Sequence, residues 1–550
     1  MAEPAAPMKW WGWGDPARSL ELPEGALGLL RSELGAGDRT VRPAALEDVR
    51  VGESSLGGKA LDRLREAVGD EWVREDRLAR ITHAAGKGYP DLVRLRAGSA
   101  EAAPDAVVYP GSEEEVRTVL DLCARDGIAV VPFGGGTSVV GGVEPLRDSF
   151  GSAISLDLGR MTQVADVDDR SLTASLGPGL RGPHVERELA RSGLTLGHFP
   201  QSFEYATVGG WVATRSAGQA STGYGNIEKL VAGLRVVTPA GDIDLPAIPA
   251  TAAGPGLRQF LVGSEGVLGV ITQATLKVRP RPEERRYEAW MFHGFEEGAE
   301  AFRTLEQRAV VPDVARLSDE AETRLSVALA GPDSLGRRVG QGYVRLRGYE
   351  GGCLVVLGYE GARADVARRA ALAGRLLRRV GGLALGQAPG RAWERNRYAG
   401  PYLRDALLDH GILAETLETA HEWSQLMKLY HAVRGAIAGT LEARGAPAIV
   451  MCHVSHLYPS GASLYFTFLA RQEVGAELEQ WRSVKSAATD AIVGAGGTIT
   501  HHHAIGRDHA AWMRHEIGEV GLAVLESVKG HLDPAGIMNP GKLFPGERSG

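Results

Sequence analysis

The spacing of apolar positions changes from a strand period to a helix period and back between residues 105 and 138. Ala106 to Val108 is a short, uniformly apolar run, typical of a buried strand. Ser112 with Glu115 three residues later forms a capping box, which predicts the start of a helix. The residues that then recur at helical spacing are Val116, Val119, Leu120 and Cys123. A β-branched run from Ile128 to Val131 follows, so the pattern predicts a strand–helix–strand unit.

Strand-like runs alternate with long helical ones between about residues 284 and 500. The clearest strand-like runs are Cys353 to Leu357 and Leu464 to Leu469, and the proline-rich segment Arg279 to Glu283 marks a boundary before them. This organisation predicts an α+β protein whose second half is a separate α+β domain with an antiparallel sheet. The predicted domains are residues 1–97 (an N-terminal strap and helical region), 98–283, 284–505 and 506–550 (a C-terminal helix and turns).

A glycine loop ends the second strand of the first unit. Its residues are Pro132, Phe133, Gly134, Gly135, Gly136, Thr137 and Ser138. Glycine adopts a positive φ at little cost, and successive free N–H groups form a concavity that binds anions. The loop therefore predicts a site for a phosphorylated cofactor. The patterns GxGxxG and GxxxxGK[ST] do not occur at this loop, which argues against a Rossmann fingerprint and a P-loop.

Composition narrows the class of protein. A chain of 550 residues is too long for one hydrophobic core, so two or three domains are expected. The net charge of -7 argues against a general nucleic-acid binder. Cys123, Cys353 and Cys452 lack metal-ligand spacing, which favours a reducing compartment. Because no apolar run reaches membrane-spanning length and no signal-peptide pattern opens the chain, we expect a cytoplasmic protein.

Two further glycine-rich segments follow the first loop in a fixed order, Gln201 to Thr214 and Gly263 to Gly269. Together with the first loop and Asn539 to Lys542, they resemble the PCMH-type FAD-binding domain of the vanillyl-alcohol-oxidase family. The resemblance implies FAD, and because the first loop contains no histidine that could tether a flavin, we expect non-covalent FAD. The other residues that it places at the cofactor are Gln201, Ser202, Thr207, Gly210, Thr214, Arg215, Ser216, Ala217, Gly263, Ser264, Glu265, Gly266, Val267, Leu268 and Gly269.

Two branches of that fold compete for the reaction, since one fold hosts many chemistries. One branch contains FAD-linked 2-hydroxyacid dehydrogenases and oxidases of the D-lactate and glycolate type. The other is the alkyldihydroxyacetonephosphate synthase family, which the chain resembles in several separate places. The matching segments are the Trp/Gly motif Met8 to Gly14, the segment His198 to Thr207 and the segment Tyr224 to Glu228. Phe133 is a departure, because it replaces a smaller apolar residue.

The resemblance to the synthase family also assigns functional residues in the second half of the chain. Arg316 matches an essential arginine, Arg404 matches a substrate-binding arginine, and Tyr465 matches the acid/base tyrosine. The run His501-His502-His503 matches the active-site histidines. The resemblance adds two substrate-side residues, His198 and Thr416, the latter where a serine is expected. Without the resemblance, an arginine in so arginine-rich a chain would indicate a surface ion pair, and Tyr465 would indicate packing.

The reaction that this resemblance implies is redox-neutral. An acyl-dihydroxyacetonephosphate binds through its phosphate to arginine, and Tyr465 with the histidine run shifts a proton at the carbon that bears the ester. A long-chain fatty alcohol then replaces the fatty acid, with flavin N5 as the nucleophile. The substrates are therefore small-molecule lipids. A dehydrogenase would instead bind a carboxylate with arginine, take a hydroxyl proton with histidine and pass a hydride to N5.

Three consecutive histidines allow a metal site or a surface cluster besides flavin-site chemistry. In an extended segment His501 and His503 would share one face and His502 would point away. A catalytic zinc normally needs three protein ligands, and two histidines on one face fall short. Histidine titrates near neutral pH and moves protons. We therefore predict catalytic histidines and no metal.

Six arginines between Arg363 and Arg379 interleave with alanine and leucine at helical spacing. This pattern predicts a solvated helix face. The alternative is docking on an anionic membrane surface, which would suit an enzyme that handles lipids. The expected partners are thus lipid substrates, with peripheral membrane contact and a homodimer left open, and no nucleic acid.

Overall fold

The computed structural model describes residues 8–329 and 335–545. It confirms the strand–helix–strand unit, with strands Ala106–Val108 and Ile128–Phe133 on either side of the helix Glu113–Asp126. Ser112 Oγ accepts the N–H of Glu115 at 3.1 Å and so caps the helix. The predicted apolar face of the helix is buried.

Two sheets share a core in the first half of the chain. The strands of the four-stranded sheet, in spatial order, are Val73–Arg74, Ala106–Val108, Ser152–Asp157 and Ile128–Phe133, the last three mutually parallel. The strands of the five-stranded antiparallel sheet are Gly241–Leu245, Val231–Thr238, Val270–Lys277, Thr173–Leu176 and Val164–Asp168. Val237 and Val270 of the second sheet pack into the core of the first. The glycine loop leaves the carboxyl end of Ile128–Phe133, where parallel sheets commonly bind ligands.

A seven-stranded antiparallel sheet dominates the second half. Its strands, in spatial order, are Leu383–Gly386, Glu284–Phe292, Cys353–Gly361, Val314–Ser318, Ala448–Tyr458, Gly461–Arg471 and Ile412–Glu422. Alternate residues such as Leu317, Val454 and Leu464 are buried in the largest apolar core. Since side chains alternate along a strand, Arg316, His453 and Tyr465 belong to the opposite face.

Helices cover these sheets and connect them. The α-helices are Glu24–Leu34, Gly58–Val68, Arg77–Thr82, Tyr89–Arg96, Glu113–Asp126, Gly182–Ala190, Val208–Ala213, Ser221–Tyr224, Ile227–Leu230, Arg258–Leu261, Phe295–Gln307, Glu320–Leu329, Leu335–Leu346, Arg363–Arg379, Gln387–Asn396, Gly400–Asp409, Trp423–Ala443, Glu477–Ala495 and Met513–Leu532. Short 3₁₀ turns and two-stranded pairs complete the fold. The α+β class with an antiparallel sheet is confirmed, whereas the four domain limits stay predictions. Within the described ranges, none of the helices has the length and apolar character that crossing a membrane requires.

The N-terminal strap runs under the helix Gly400–Asp409. Trp10 and Trp13 are buried, and the N–H of Trp13 donates to Asp405 Oδ2 at 2.7 Å. A Cβ at Gly12 would lie 2.4 Å from the same oxygen, so a larger residue there would displace the Asp405 carboxylate. The strap therefore fixes the helix that carries Arg404.

Candidate active site

The first glycine loop presents unused backbone donors. The N–H groups of residues 135–138 donate to no other residue in the described part of the chain. Gly136 has φ +63°, and a Cβ at Gly135 would lie 2.1 Å from the carbonyl oxygen of Tyr205. Consecutive free N–H groups in a tight glycine turn bind phosphate oxygens. The loop thus fits the pyrophosphate of FAD.

The third glycine segment joins this loop to the residues after the histidine run. Gly266 has φ +75°, and a Cβ there would lie 2.9 Å from the Pro132 ring. The carboxylate of Glu265 accepts the N–H groups of Ile505 and Gly506 at 2.8 and 2.7 Å. Burial raises the pKa of Glu265 to about 7. These contacts place Gly263 to Gly269 between the first loop and the histidines.

The C-terminal turns pack against the first loop and the third glycine segment. The backbone of Asn539 donates to the carbonyl of Val130 at 2.8 Å. Its side-chain amide donates to the carbonyls of Gly142 and Glu265, at 3.1 and 2.7 Å. One asparagine therefore links the strand before the first loop, the turn that follows that loop and the third segment.

The second segment divides between the site and the surface. A Cβ at Gly134 would lie 2.4 Å from Thr207 Oγ1. Thr207 therefore packs directly on the first loop. His198 Nε2 pairs with Ser216 Oγ at 2.7 Å, and burial lowers the pKa of His198 to about 3. Gln201 lies apart, because its exposed side chain donates to the carbonyl of Arg397 at 2.8 Å.

A row of polar residues crosses the seven-stranded sheet on the face opposite its apolar core. Ser318 pairs with His453, His453 with Tyr465, and Tyr465 with Glu418 in the strand register. The rings of His453 and Tyr465 stack with centroids 4.8 Å apart. Tyr465 also contacts His502 and His503, at 5.9 and 5.3 Å between centroids. The sheet register therefore assembles the predicted tyrosine and two of the predicted histidines.

Glu418 organises the histidine run through the backbone. Its buried carboxylate accepts the N–H groups of His501, His502 and His503, the last two at 3.0 and 2.8 Å. Three successive N–H groups can meet one carboxylate only where the chain is bent. The expectation of an extended run was therefore wrong. His501 and His502 are neighbours, with 3.0 Å between their Nδ1 atoms.

The protonation states around Tyr465 follow from burial. Burial lowers the pKa of His501, His502 and His503 to about 4, so all three are neutral at pH 7. Burial raises the pKa of Tyr465 to about 12, and the phenol is protonated there. Burial alone would raise the pKa of Glu418, but the surrounding histidines and Thr500 hold it well below its usual range. The cluster thus combines neutral proton acceptors, one phenolic donor and one fixed negative charge.

Arg316 reaches this cluster through His453. Its Nη1 lies 3.1 Å from His453 Nε2, and its Nη2 donates to Glu322 Oε1 at 2.8 Å. Burial opposes the charge of Glu322, yet Arg316 and His453 hold the pKa of that carboxyl well below its usual range. The guanidinium therefore fixes the imidazole that stacks on Tyr465.

Arg404 lies on the helix Gly400–Asp409, next to the N-terminal strap. Its Nη1 donates to the carbonyl of Lys87 at 2.5 Å, while its buried Nε finds no partner in the described ranges. Thr416 and Tyr465 are near neighbours on adjacent strands, and the Thr416 hydroxyl partly offsets the rise in the pKa of Tyr465. Arg404 therefore retains a donor for a bound anion.

A cavity of about 440 Å³ joins the cofactor side to the reaction side. Predicted residues from both sides line it: Thr214, Arg215, Gly263, Ser264, Glu265, Leu268, His501 and His502. Its other walls are largely apolar, with Phe260 and Leu525 among them. The structure thus brings the third glycine segment and the histidine run to one space.

Several residues at this site escaped the sequence analysis: His453, His456, Glu418, Glu322 and Tyr458. For the four that lie on strands, the signal that could have found them is a polar residue in an otherwise apolar strand. Glu322 lies on the helix Glu320–Leu329 and has no such signal. His456, His501 and His502 offer nitrogens within 4.8 Å of one another, a spacing that suits a metal. The expectation of no metal stays a prediction.

Comparison with known proteins agrees with this geometry. Residues 104–244 match a family described as FAD binding domain, and residues 281–543 match the C-terminal domain of FAD linked oxidases. An alkyldihydroxyacetonephosphate synthase of Trypanosoma brucei brucei is 37% identical, over 88% of this chain and 80% of its own length. That of Dictyostelium discoideum is 32% identical, over 98% of this chain and 93% of its own length.

A solved structure and a more distant relative extend this comparison. A structure described as alkyldihydroxyacetonephosphate synthase superposes with a TM-score of 0.85 at 31% identity, covering 97% of this chain and 98% of its own. The glycolate oxidase subunit GlcD of Bacillus subtilis is 25% identical, over 81% of this chain and 90% of its own length. The expected PCMH-type flavoprotein fold and the FAD cofactor are confirmed by these matches.

Proposed function

The chain belongs to the alkyldihydroxyacetonephosphate synthase family, and on that premise we propose the roles of its residues in an ether-forming exchange. The enzyme replaces the acyl group of an acyl-dihydroxyacetonephosphate with a long-chain fatty alcohol, in ether lipid biosynthesis. The observation that carries the assignment of roles is the half-buried cluster of Tyr465, His502 and His503, which borders the space shared with the third glycine segment.

Arg404 binds the phosphate of the acyl-dihydroxyacetonephosphate. Its Nη1 donates to the carbonyl of Lys87 beside the strap, and its Nε has no partner in the described ranges, so it offers a fixed positive charge with a spare donor. A guanidinium binds phosphate oxygens through a planar set of donors. The family resemblance leads us to expect a serine at position 416. Thr416 has the same hydroxyl group, so it can form the same hydrogen bond to the substrate.

The proton at the carbon that bears the ester moves to a histidine. His502 and His503 are neutral at pH 7 because burial lowers their pKa to about 4. Each can therefore accept a proton, while the protonated phenol of Tyr465 donates a hydrogen bond to the substrate oxygen. Glu418 stabilises the histidinium that forms, and Arg316 keeps His453 and Tyr465 in position.

The cofactor is held by backbone groups of this chain. The free N–H groups of residues 135–138, with Thr207 and the third segment, cradle the pyrophosphate. When bound in its reduced form, FAD supplies a nucleophilic nitrogen for the exchange. The first loop has no histidine, so we propose that the cofactor dissociates.

One assay tests this function. Purified holoenzyme is mixed with palmitoyl-dihydroxyacetonephosphate and labelled hexadecanol without an external electron acceptor. We expect a labelled ether product and no net change in flavin redox state. The 2-hydroxyacid dehydrogenase alternative is less well supported, and it requires the opposite result: no ether, but reduction of a dye by D-lactate or a related acid.

We also propose peripheral contact with anionic membranes through the helix Arg363–Arg379. Arg369 is held by Asp313 and Asp365, whereas the other five arginines of this helix are exposed: Arg363, Arg368, Arg375, Arg378 and Arg379. An exposed basic face attracts anionic lipid. Replacing these five exposed arginines with glutamine should reduce co-sedimentation with phosphatidylglycerol vesicles, and unchanged co-sedimentation would exclude this face.

A further inference from the structure

A line of hydrogen-bonded side chains leads away from the cavity on the histidine side. The hydroxyl of Tyr458 lies 2.7 Å from His501 Nε2. On the other side of the same ring, His501 Nδ1 lies 3.0 Å from His502 Nδ1. Both distances are those of ordinary hydrogen bonds. The three side chains therefore form one continuous line, with His501 in the middle.

The two ends of this line have different surroundings. His502 lines the cavity, and its Nε2 forms no hydrogen bond in the described part of the chain. Tyr458 is half-buried at the end of the strand Ala448–Tyr458, and an exposed turn at Pro459 and Ser460 follows it. The ammonium group of the exposed Lys229 lies 5.6 Å from the centre of the Tyr458 ring. One end therefore borders the reaction space, and the other end lies near solvent.

The middle ring is held in place by its neighbours. His456, which is only 4% exposed, stacks on His501 with ring centroids 5.0 Å apart. The Glu418 carboxylate accepts the backbone N–H groups of His501 and His502. A neutral imidazole has one N–H donor and one acceptor nitrogen, and His501 uses both in the line. His501 therefore has no nitrogen left for a substrate, but it can pass a proton from one neighbour to the other.

We infer that His501 and Tyr458 form a proton relay that connects His502 with solvent during the ether-forming exchange. The inference rests on the proposed function. The proton of the ester-bearing carbon goes to His502 Nε2, and the proton on His502 Nδ1 goes to His501 Nδ1. The proton on His501 Nε2 then goes to the Tyr458 oxygen, which releases its own proton to solvent. A solvent proton that returns by the same steps in reverse restores the carbon–hydrogen bond and both starting tautomers, so no net proton is consumed.

Isotope exchange in the holoenzyme tests the relay. Palmitoyl-dihydroxyacetonephosphate with deuterium at the ester-bearing carbon is converted with hexadecanol, and mass spectrometry measures the deuterium that the ether keeps. The wild-type ether should lose deuterium to solvent. Tyr458→Phe should slow this exchange at least about 10-fold, so that its ether keeps more deuterium. His501→Gln interrupts the line one step earlier and should keep at least as much, whereas the exposed Tyr343→Phe control should match the wild type.

Two results with an active wild type would overturn the relay alone. Equal loss of deuterium in the wild type, Tyr458→Phe and His501→Gln would mean that water in the cavity carries the proton. A lower kcat in Tyr458→Phe with no change in the deuterium that the ether keeps would limit the hydroxyl to holding His501 in place. Wild-type enzyme that neither forms ether nor releases deuterium would contradict the proposed function itself, and the relay with it.

Discussion

Glu418 and Tyr465 lie directly opposite each other on two neighbouring antiparallel strands. From that position the Glu418 carboxylate accepts three consecutive N–H groups of the histidine run. The same register brings His453 onto the other side of Tyr465. One cross-strand pair therefore fixes where the phenol and the histidines meet.

Replacing Glu418 with glutamine should loosen the histidine run. The amide has one acceptor oxygen, and its NH₂ group would face backbone N–H donors that now lose a partner. We expect the free energy of unfolding to fall by about 1–3 kcal/mol and the ether-forming rate to fall at least about 100-fold. Urea unfolding and the labelled-hexadecanol assay measure both effects. Glu422→Gln, at the exposed end of the same strand, is the control, and equal behaviour of the two variants would contradict this role.

Removing the hydroxyl of Tyr465 should slow the proton transfer to histidine without unfolding the protein, because the substrate oxygen loses its hydrogen-bond donor. Because burial raises the pKa of this phenol to about 12, it acts as a hydrogen-bond donor throughout the neutral range. Tyr465→Phe should lower kcat by about 10²- to 10⁴-fold while FAD content and Tm remain near those of the wild type. The exposed Tyr343→Phe variant controls for loss of a phenol in general. Full activity in Tyr465→Phe would remove the residue from the mechanism.

Acid should destabilise the holoenzyme through the buried histidines. The pKa values of His501, His502 and His503 fall to about 4 in the folded chain, from about 6.5 when unfolded. Between these values the unfolded chain binds more protons, so stability is complete above about pH 6.5 and falls as the pH drops. Glu418, with its lowered pKa, acts in the same direction.

The loss from each histidine should be about 2 kcal/mol between pH 7 and pH 5. Urea unfolding at the two pH values measures it. In His503→Gln, the free energy of unfolding should fall between pH 7 and pH 5 by about 2 kcal/mol less than in the wild type. The exposed His431→Gln variant should show the same fall as the wild type. A His503→Gln variant with an unchanged drop would mean that His503 is not a buried neutral base.

Lysine should not substitute for Arg316. The guanidinium contacts His453 with Nη1 and Glu322 with Nη2, and one ammonium cannot span both. Arg316→Lys should leave FAD bound but lower kcat about 100-fold, since His453 would no longer support Tyr465. Arg324→Lys, at a surface pair with Glu33, should have no effect. Equal rates for both lysine variants would assign Arg316 to stability alone.

Much of the fold could be predicted from the sequence because the patterns that indicate it are local. Apolar spacing located the strand–helix–strand unit, and the order of the glycine segments identified the flavoprotein fold. The histidine run was misjudged because the carboxylate that bends it comes from a strand 83 residues earlier. A long-range contact, not local preference, therefore decides the conformation of this run.

Asn539 should control retention of FAD. Its side-chain amide donates to the carbonyls of Gly142 and Glu265, and its φ of +41° suits asparagine better than alanine. Asn539→Gly keeps the backbone conformation accessible while it removes both hydrogen bonds. We expect the dissociation constant of FAD to rise about 5- to 100-fold, because each bond contributes about 0.5–1.5 kcal/mol. Fluorescence titration of apoprotein with FAD measures this change, and Asn396→Gly at an exposed helix end is the control. Unchanged FAD affinity in Asn539→Gly would show that the C-terminal turns do not hold the cofactor loops together.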